Sequence, residues 1–456
     1  MTTELPERPD RVAARRIVHR LRALGHEAWF VGGSVRDELL GREPKEFDVA
    51  TSADPDTVER VFPRSIPVGK AFGVVRVLGD GDAADGSDTV TEVATFRSDD
   101  AYIDGRRPTG VTFTTARIDA ERRDFTVNGL FMDPDTREVI DYVGGRADLD
   151  ARRLRAIGEP RARFEEDKLR MLRAVRFAAT GPFEIDPPTW YALVEMAPQI
   201  TVVSQERVQA ELSRILTSGR SAHGLRLLRA SGLLRVILPE IAALEGVAQP
   251  PEFHPEGDVW VHTLLAMEHF DRTPPHTLPM ALAVLFHDVG KPATYTVTDR
   301  IRFNGHDQVG AGMADEILRR LKYSNEVIDE VVDLVARHMA FVQIKDWREA
   351  KLRRFLGAPR IDRHLELHRI DCRAAHGNLT THGWCREQIE RFRQEPPRAP
   401  RLISGEDLLA AGYVQGPAIG KVLASVDDER LEGRLTTREE AIAWAVRRMP
   451  PPFGSA

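Results

Sequence analysis

Two acids, Glu46 and Asp48, stand one residue apart in KEFDVATSADP, a stretch that reads as the end of a β-strand. Alternate strand residues point to the same face, so both carboxylates reach toward one point. Such hard oxygen ligands suit Mg²⁺, which takes one or two protein carboxylates and completes its octahedron with water and substrate phosphates. Just upstream, FVGGSVRDELLG runs strand, glycine turn, helix. Gly32 and Gly33 let the backbone come close to a ligand, and the helix start with Ser34 and Arg36 offers donors to phosphate oxygens. Phosphate donors beside metal-holding acids describe a nucleotide-plus-metal site. Two metals there activate an attacking hydroxyl and stabilise a leaving pyrophosphate. The plainer alternatives are a simple glycine turn and two surface acids on an edge strand. Glu92, in TEVATFR on a neighbouring strand, is either a third acid near the metals or a solvated strand residue.

A second chemical pairing lies in EEDKLRMLRAVRFAA, where Asp167 and Arg170 are three apart. On a helix they share a face and present an acceptor beside a donor fork. Cytosine and adenine each offer an exocyclic amino donor next to a ring acceptor, whereas uracil and guanine present the reverse. The pair therefore accepts C and A and rejects U and G, because a reversed edge leaves buried polar groups unpaired. Its plain alternative is a surface ion pair.

A third set of groups is imidazole-rich: His262 in VWVHTLL, His287 and Asp288 in FHDVGKP, His306 in NGHDQVG and His338 in VARHM. Imidazoles with a carboxylate suit a transition metal, or a mixed site with Mg²⁺, that activates water. A lone histidine on an apolar helix is usually packed or solvated; four among helices, with an adjacent His-Asp pair, form a pattern.

These residues need elements to position them. At 456 residues the chain is too long for one compact domain. Up to about residue 145, β-type segments (WFVGG, FDVAT, GVVRVL, TVTEVATF, VTFTT, VNGLFM, EVIDYVG) alternate with short helical stretches. From about 150 onward the spacing is helical, as in Leu169, Leu172, Val175 and Ala178. The fold class is α+β: a mixed α/β head, 1–145, then an elongated all-α remainder divided into a neck, 146–247, a body, 248–394, and a tail, 395–456. EPPRAPR, 395–401, reads as a linker, GDGDAADGSD, 79–88, as an acidic hairpin insertion, and RSDDAYIDGRRPTG, 97–110, as a loop able to move. ARRLRAIGEPRAR, together with Arg173 and Arg176, makes either a positive stripe for phosphates or a solvated helix face.

Hydrophobic residues at 42% and charged ones at 29% describe an ordinary soluble protein. No apolar run approaches the roughly 18 residues that span a bilayer, and the N-terminus has no signal-peptide core. Cys372 and Cys385 as the only cysteines suit a reducing compartment, so the expectation is a cytoplasmic protein without a membrane partner. The net charge of −6 gives no overall sign of nucleic-acid binding and says little about local patches.

The motifs resemble those of the class II tRNA nucleotidyltransferases, the CCA-adding enzymes, and their bacterial poly(A) polymerase relatives. GGSVRDELLG with EFDVAT is similar to the family's first motif, RRDFTVNGL to the second, DYVGGRADL to the third, EEDKLRMLRAVRFAA to the fourth and SQERVQAEL to the fifth. The resemblance implies a nucleotidyltransferase head and tRNA, CTP and ATP as partners. It also implies Mg²⁺ on Glu46 and Asp48, and triphosphate on the glycines and Arg36. The second motif, with Arg123, Asp124 and Asn128, would handle the ribose, the third would be a hinge, and Asp167 and Arg170 a protein template. Glu46 departs from the family's commoner aspartate; it keeps charge and ligand atoms but sits one methylene further out, in a site with contacts near about 2.1 Å. The loop 97–110 is similar to the flexible loop that CC-adding enzymes tend to lack, and VGKAFGVVRV lacks the basic pair that marks poly(A) polymerases. The histidine order resembles the HD phosphohydrolase domain, with Asp371 in HRIDCRAAHG matching its closing aspartate and completing a metal set with His262, His287, Asp288, His306 and His338. In the tail, GPAIGK offers a phosphate-gripping turn for the tRNA elbow or a plain helix cap.

The expected activity is template-independent addition of C and A to the tRNA 3′ end, with terminal A addition and poly(A) synthesis as neighbouring alternatives. An HD phosphohydrolase with a nucleotide-binding head, or an inert RNA-binding protein, are the alternatives of another class.

Overall fold

The computed structural model describes residues 8–79, 89–99, 110–394 and 401–451. Nearly all of the 79–88 insertion, most of the 97–110 loop and most of the 395–401 linker lie outside the described residues. The chain forms two compact units. One comprises Met1–Ala243 with Asp271–Leu278 and Ile317–Ser324; the other comprises Leu244–Phe270, Pro279–Glu316 and Asn325–Ala456. No helix among the described residues is long and apolar enough to cross a membrane.

The head of the first unit is a mixed sheet. Its strands are β1 (Ala28–Val31), β2 (Asp48–Thr51), β3 (Ser65–Gly69), β4 (Val74–Leu78) and β5 (Val90–Thr95). A separate small hairpin pairs β6 (Arg97–Asp99) with β7 (Val111–Phe113), and β8 (Leu130–Met132) and β9 (Val139–Asp141) complete the sheet. The order is β3-β4-β5-β2-β1-β8-β9, with β2 and β5 parallel and the other neighbours antiparallel. Alternation along β2 sends Val49 and Thr51 one way and Asp48 and Ala50 the other. Phe30, Phe47 and Val49 are buried, as is the Val18/Leu21 face of the helix Pro9–Ala23. Each large apolar side chain buried in this way contributes roughly 1.5–3 kcal/mol, so β2 is held in the one register that turns Asp48 the other way.

The neck is helical. Leu169–Thr180 buries Leu172, Val175 and Ala179, and Gln205–Leu216 buries Val208, Leu212 and Ile215 at helical spacing. The second unit packs Phe341, Ile344, Leu352 and Phe355 in one core and Leu408, Val422, Val426 and Ala445 in another. Capping boxes at Ser404–Asp407 and Thr437–Glu440 start two of the C-terminal helices.

Four local expectations are corrected. Asp48 opens its strand instead of ending it, and Glu46 lies in the approach to the strand. Asp167 is not on a helix with Arg170: the helix Pro160–Glu166 stops before it and Leu169–Thr180 begins after it. In VNGLFM, Thr126–Asn128 forms a 3₁₀ turn ahead of β8. Beyond residue 150 the chain is helical but for two small strand pairs, Arg153–Leu154 with Glu184–Ile185 and Thr296–Val297 with Ile301–Arg302.

Candidate active site and candidate metal centre

At the end of β1 the chain turns at Gly32 with φ of 69°, a left-handed conformation that suits glycine. A Cβ there would come 3.4 Å from a guanidinium nitrogen of Arg123, so the glycine also lets that arginine lie against the turn. Ser34 is buried and its Oγ donates to the Val31 carbonyl at 3.0 Å. Its hydroxyl proton thus closes the turn and is not aimed at a ligand.

Gly32, Gly33, Ser34, Arg36, Glu46, Asp48, Arg123, Asp124, Asn128, Asp167, Arg170, Arg173 and Arg176 all line one cavity of about 1010 Å³. Every head and neck residue singled out in the sequence is therefore brought together. Glu92, reaching in from β5, is also on the wall, and Arg76 holds it at 2.8 Å. Burial, with the nearby Glu46 and Glu92 carboxylates, pushes the Asp48 carboxyl up to about 7, while Arg123 pulls it back. The Glu46 and Glu92 charges that work against ionised Asp48 are a penalty that a divalent cation removes, so an acid pair at Glu46 and Asp48 fits the metal that the chemistry requires.

A continuous polar network underlies the cavity. Arg36 donates to Asp37 at 2.9 Å and to Asn128 Oδ1 at 2.8 Å. Asn128 Nδ2 donates to Asp124 at 3.0 Å, and Arg173 grips the other Asp124 oxygen at 2.6 and 2.8 Å. Arg176 pairs with Glu211, which also lies 3.8 Å from Arg173. Burial works to raise the Asp124 carboxyl, but Arg173 and Asn128 outweigh it and hold it well below the usual carboxylate range. Arg173 and Arg176 are thus committed to the carboxylates of Asp124 and Glu211 instead of forming an open stripe.

Asp167 accepts from Arg207 at 2.7 and 3.2 Å and from the Leu169 backbone N–H at 3.0 Å. Arg170 pairs with Glu166 and donates to the carbonyls of Arg163 at 2.9 Å and Arg122 at 3.1 Å. Acceptor and fork are neighbours on the cavity wall, but each is held from behind by a different partner.

In the second unit, His262, His287, Asp288, His306, His338 and Asp371 form one cluster. His262 Nε2 lies 3.2 Å from His287 Nε2 and 3.1 Å from Asp371. His306 Nε2 lies 3.1 Å from His338 Nε2 and 3.4 Å from Asp288. The Nδ1 atoms of His287, His306 and His338 meet the carbonyls of Val284, Phe303 and Val335 at 2.8, 2.8 and 2.6 Å. That of His262 meets Glu256 at 2.7 Å. With Nδ1–H donating outward, all four Nε2 lone pairs face inward, the tautomer that metal ligands take. Burial beside other imidazoles lowers His338 to about 4; burial also lowers His262, but Asp371 and Glu256 outweigh it and push it up to about 9. A cation between these atoms would take the place of the proton on His262, and the donor set of imidazoles with two carboxylates fits a transition or mixed metal.

Sequence reasoning missed three supporting residues. Asp119, buried, pairs with Arg122 at 2.7 Å and Arg123 at 2.9 Å; its i+3 and i+4 spacing to them is a legible signal. Arg207 and Glu256 are the others. Glu256 sits in an irregular loop, where no periodicity marks it.

Comparison with known proteins agrees with this geometry. Residues 28–155 match the Poly A polymerase head domain family, 182–244 the RNA and SrmB-binding site of polymerase A, and 308–446 the tRNA nucleotidyltransferase domain 2 family. The chain is 32% identical to a CCA-adding enzyme of Lactococcus lactis subsp. lactis over 98% of this chain and 99% of that one. It is 31% identical to one from Levilactobacillus brevis, over 95% and 96%. The crystal structure of the Bacillus stearothermophilus CCA-adding enzyme in complex with CTP superposes with a TM-score of 0.72 at 28% identity, over 97% of this chain and 98% of that one. With near-complete coverage in both directions, and residues of the family's first, second and fourth motifs gathered around one acidic, guanidinium-walled cavity, the chain belongs to the CCA-adding enzyme family of tRNA nucleotidyltransferases.

Proposed function

We propose that this chain completes the 3′ end of tRNA, adding C and A from CTP and ATP without a nucleic-acid template, and that the residues lining the head cavity carry the chemistry. The 3′-hydroxyl oxygen of tRNA attacks the α-phosphorus of the incoming nucleotide. A new phosphodiester P–O bond forms as the bond from the α-phosphorus to the α–β bridging oxygen breaks; the hydroxyl proton passes to solvent water and pyrophosphate leaves. Glu46 and Asp48 would hold a divalent metal, which we assign as Mg²⁺; bound there, it would lower the cost of ionising the attacking hydroxyl and neutralise the leaving group. Gly32 and Gly33 let the triphosphate approach the backbone, and Arg36 and Arg123 take up its charge. Asp124 and Asn128 keep Arg36 and Arg173 in place. Asp167 accepts from the exocyclic amino group of cytosine or adenine, and Arg170 donates to the adjacent ring nitrogen.

The observation that carries this reading is that Glu46, Asp48 and Glu92 line the same cavity as Arg36, Arg123, Arg170 and Arg173, with the two glutamates and burial pushing Asp48 up to about 7. Residues 1–145 serve as the catalytic head, 146–247 as the base-selecting neck, 248–394 as an HD body and 395–456 as a tail that touches the tRNA, all acting on the cytoplasmic tRNA pool. The test is single-nucleotide gel analysis with Mg²⁺, CTP and ATP on tRNAs ending before C, after C and after CC, beside Asp48→Ala. Growth of all three to CCA, absent in the variant, is the expected result. Extension of only the CC-ended tRNA would make it an A-adding enzyme, and long A tails a poly(A) polymerase.

The inward-facing Nε2 atoms favour a second activity in the body, removal of 2′,3′-cyclic phosphate or another damaged end. His262, His287 and Asp371 would hold one metal, and Asp288, His306 and His338 another; such a centre supplies a water ionised near neutral pH. Release of phosphate ends from a 2′,3′-cyclic nucleotide, lost in His287→Ala and kept in Asp48→Ala, tests this.

A further inference from the structure

The fifth motif, SQERVQAEL, has no role in the chemistry so far, yet its helix Gln205–Leu216 backs the base-reading segment. Asp167 itself lies in extended backbone, φ −144° and ψ 105°, between two helices. Contacts from other residues must therefore fix the direction of its carboxylate. Two contacts do so: the Leu169 N–H on Oδ1, and the Arg207 fork, with one nitrogen 2.7 Å from Oδ2 and the other 3.2 Å from Oδ1. A bidentate guanidinium fixes the plane of a carboxylate as well as its place. One turn along the same helix face, Glu211 takes Arg176 and approaches Arg173. Arg207 is absent from the cavity wall that Asp167 lines, so it acts from behind.

We propose that Arg207 is a positioning residue for nucleotide choice: it clamps the Asp167 carboxylate in the plane that accepts the exocyclic amino group of cytosine and adenine. This rests on the reading of Asp167 and Arg170 as the base-selecting pair. Free of the clamp, the carboxylate turns about its side-chain bonds and meets the amino group at a poor angle. The loss falls on CTP and ATP, which use that bond, and spares UTP and GTP, which never made it.

The experiment measures kcat and KM for CTP and UTP on a tRNA lacking its terminal CCA, using the full-length protein and the variants Arg207→Gln, Arg207→Lys, Asp167→Ala and Arg207→Gln/Asp167→Ala. Arg207→Gln is expected to lower kcat/KM for CTP by about tenfold, leave that for UTP within about twofold, and so lower the C-over-U preference by a similar factor. Arg207→Lys, keeping the charge without the fork, restores part of the preference. The double variant falls no further than Asp167→Ala alone, since the two residues act through one contact. An equal fall for CTP and UTP in Arg207→Gln, with the preference intact and the double variant additive, would make Arg207 merely structural and overturn the proposal. If Arg207→Gln does not fold, judged by its thermal melt, the Arg207→Lys preference decides alone: unchanged overturns, reduced supports. A normal C-over-U preference in Asp167→Ala is a separate failure, that of the base-reading assignment, and takes the proposal down with it.

Discussion

His306 and His338 bring their Nε2 atoms to 3.1 Å while each ring turns its Nδ1 onto a backbone carbonyl. Two imidazole lone pairs facing each other repel unless a cation or a proton lies between them, and burial keeps His338 neutral with a value lowered to about 4. Metal should therefore stabilise the fold. Protein stripped with a chelator is expected to gain about 2.7 kcal/mol when Mn²⁺ or Zn²⁺ is supplied at about a hundredfold over its Kd. Thermal melts with and without metal read this, and His338→Ala should abolish most of the gain. An unchanged melt would deny the centre.

Glu256 extends that expectation to a residue outside the six-membered cluster. Its Oε1 accepts from His262 at 2.7 Å and His254 at 2.9 Å, fixing the His262 ring. Glu256→Gln is expected to weaken metal binding by about 10- to 100-fold, as outer partners of ligating histidines generally do. A calorimetric titration of the stripped variant measures it, and wild-type affinity would refute it.

In the head, Asp48→Asn separates function from stability. The carboxylate sits partly buried among Glu46 and Glu92, so removing its charge relieves repulsion in metal-free protein. The variant should melt at a higher temperature at pH 8 without metal, yet lose on the order of 10³ in kcat. Glu46→Asp, which shortens the neighbouring ligand by one methylene, is expected to stay within about threefold of wild type, because Mg²⁺ accepts either carboxylate. A destabilised Asp48→Asn would contradict the repulsion argument.

The Asp124–Arg173 pair gives a pH dependence of opposite sign. Arg173 and Asn128 hold the Asp124 carboxyl below its ordinary value despite burial. Its contribution is therefore complete above the unfolded value of about 4 and is lost as pH falls toward the folded value. The stability gap between wild type and Asp124→Asn should be widest near pH 6 and narrow below about pH 4. Urea midpoints at pH 6 and 3.5 report it; a constant gap would mean that the pair does not titrate with folding.

Much of this was legible in the sequence because the chemistry of the head sits in short, ordered motifs. GGSVRDELLG reads correctly as turn and helix, since Gly32 needs the left-handed turn that it adopts. Positions controlled by polar local bonds read less well. Three-residue spacing placed Asp167 and Arg170 on one helix, but the Asp167 side chain accepts the Leu169 N–H and so starts the next helix instead of continuing the last. Strand β3, SIPVG, went unread because Pro67 argues against a strand; it is an edge strand, where a missing donor can face solvent. The six residues of the candidate metal cluster were singled out by residue type, whereas Glu256 and Arg207 were not, because a supporting partner is defined by a contact across the fold and leaves no local periodicity.

The pairing of Val31 with Asp48 in β1 and β2 carries a consequence for how this site tolerates change. The acid is placed by a backbone ladder to the strand that ends at the Gly32–Gly33 turn, and the stretch between Leu40 and Lys45 joins the two while adding Arg42, Glu43 and Lys45 to the cavity wall. A change of length in that connection leaves the Val31–Asp48 ladder in place and shifts the wall residues Arg42, Glu43 and Lys45. A one-residue slip within β2 has the opposite effect: it carries Asp48 to the apolar side and Val49 into the cleft. The position of Asp48 thus depends on parity along the strand and not on the length of the chain that leads into it.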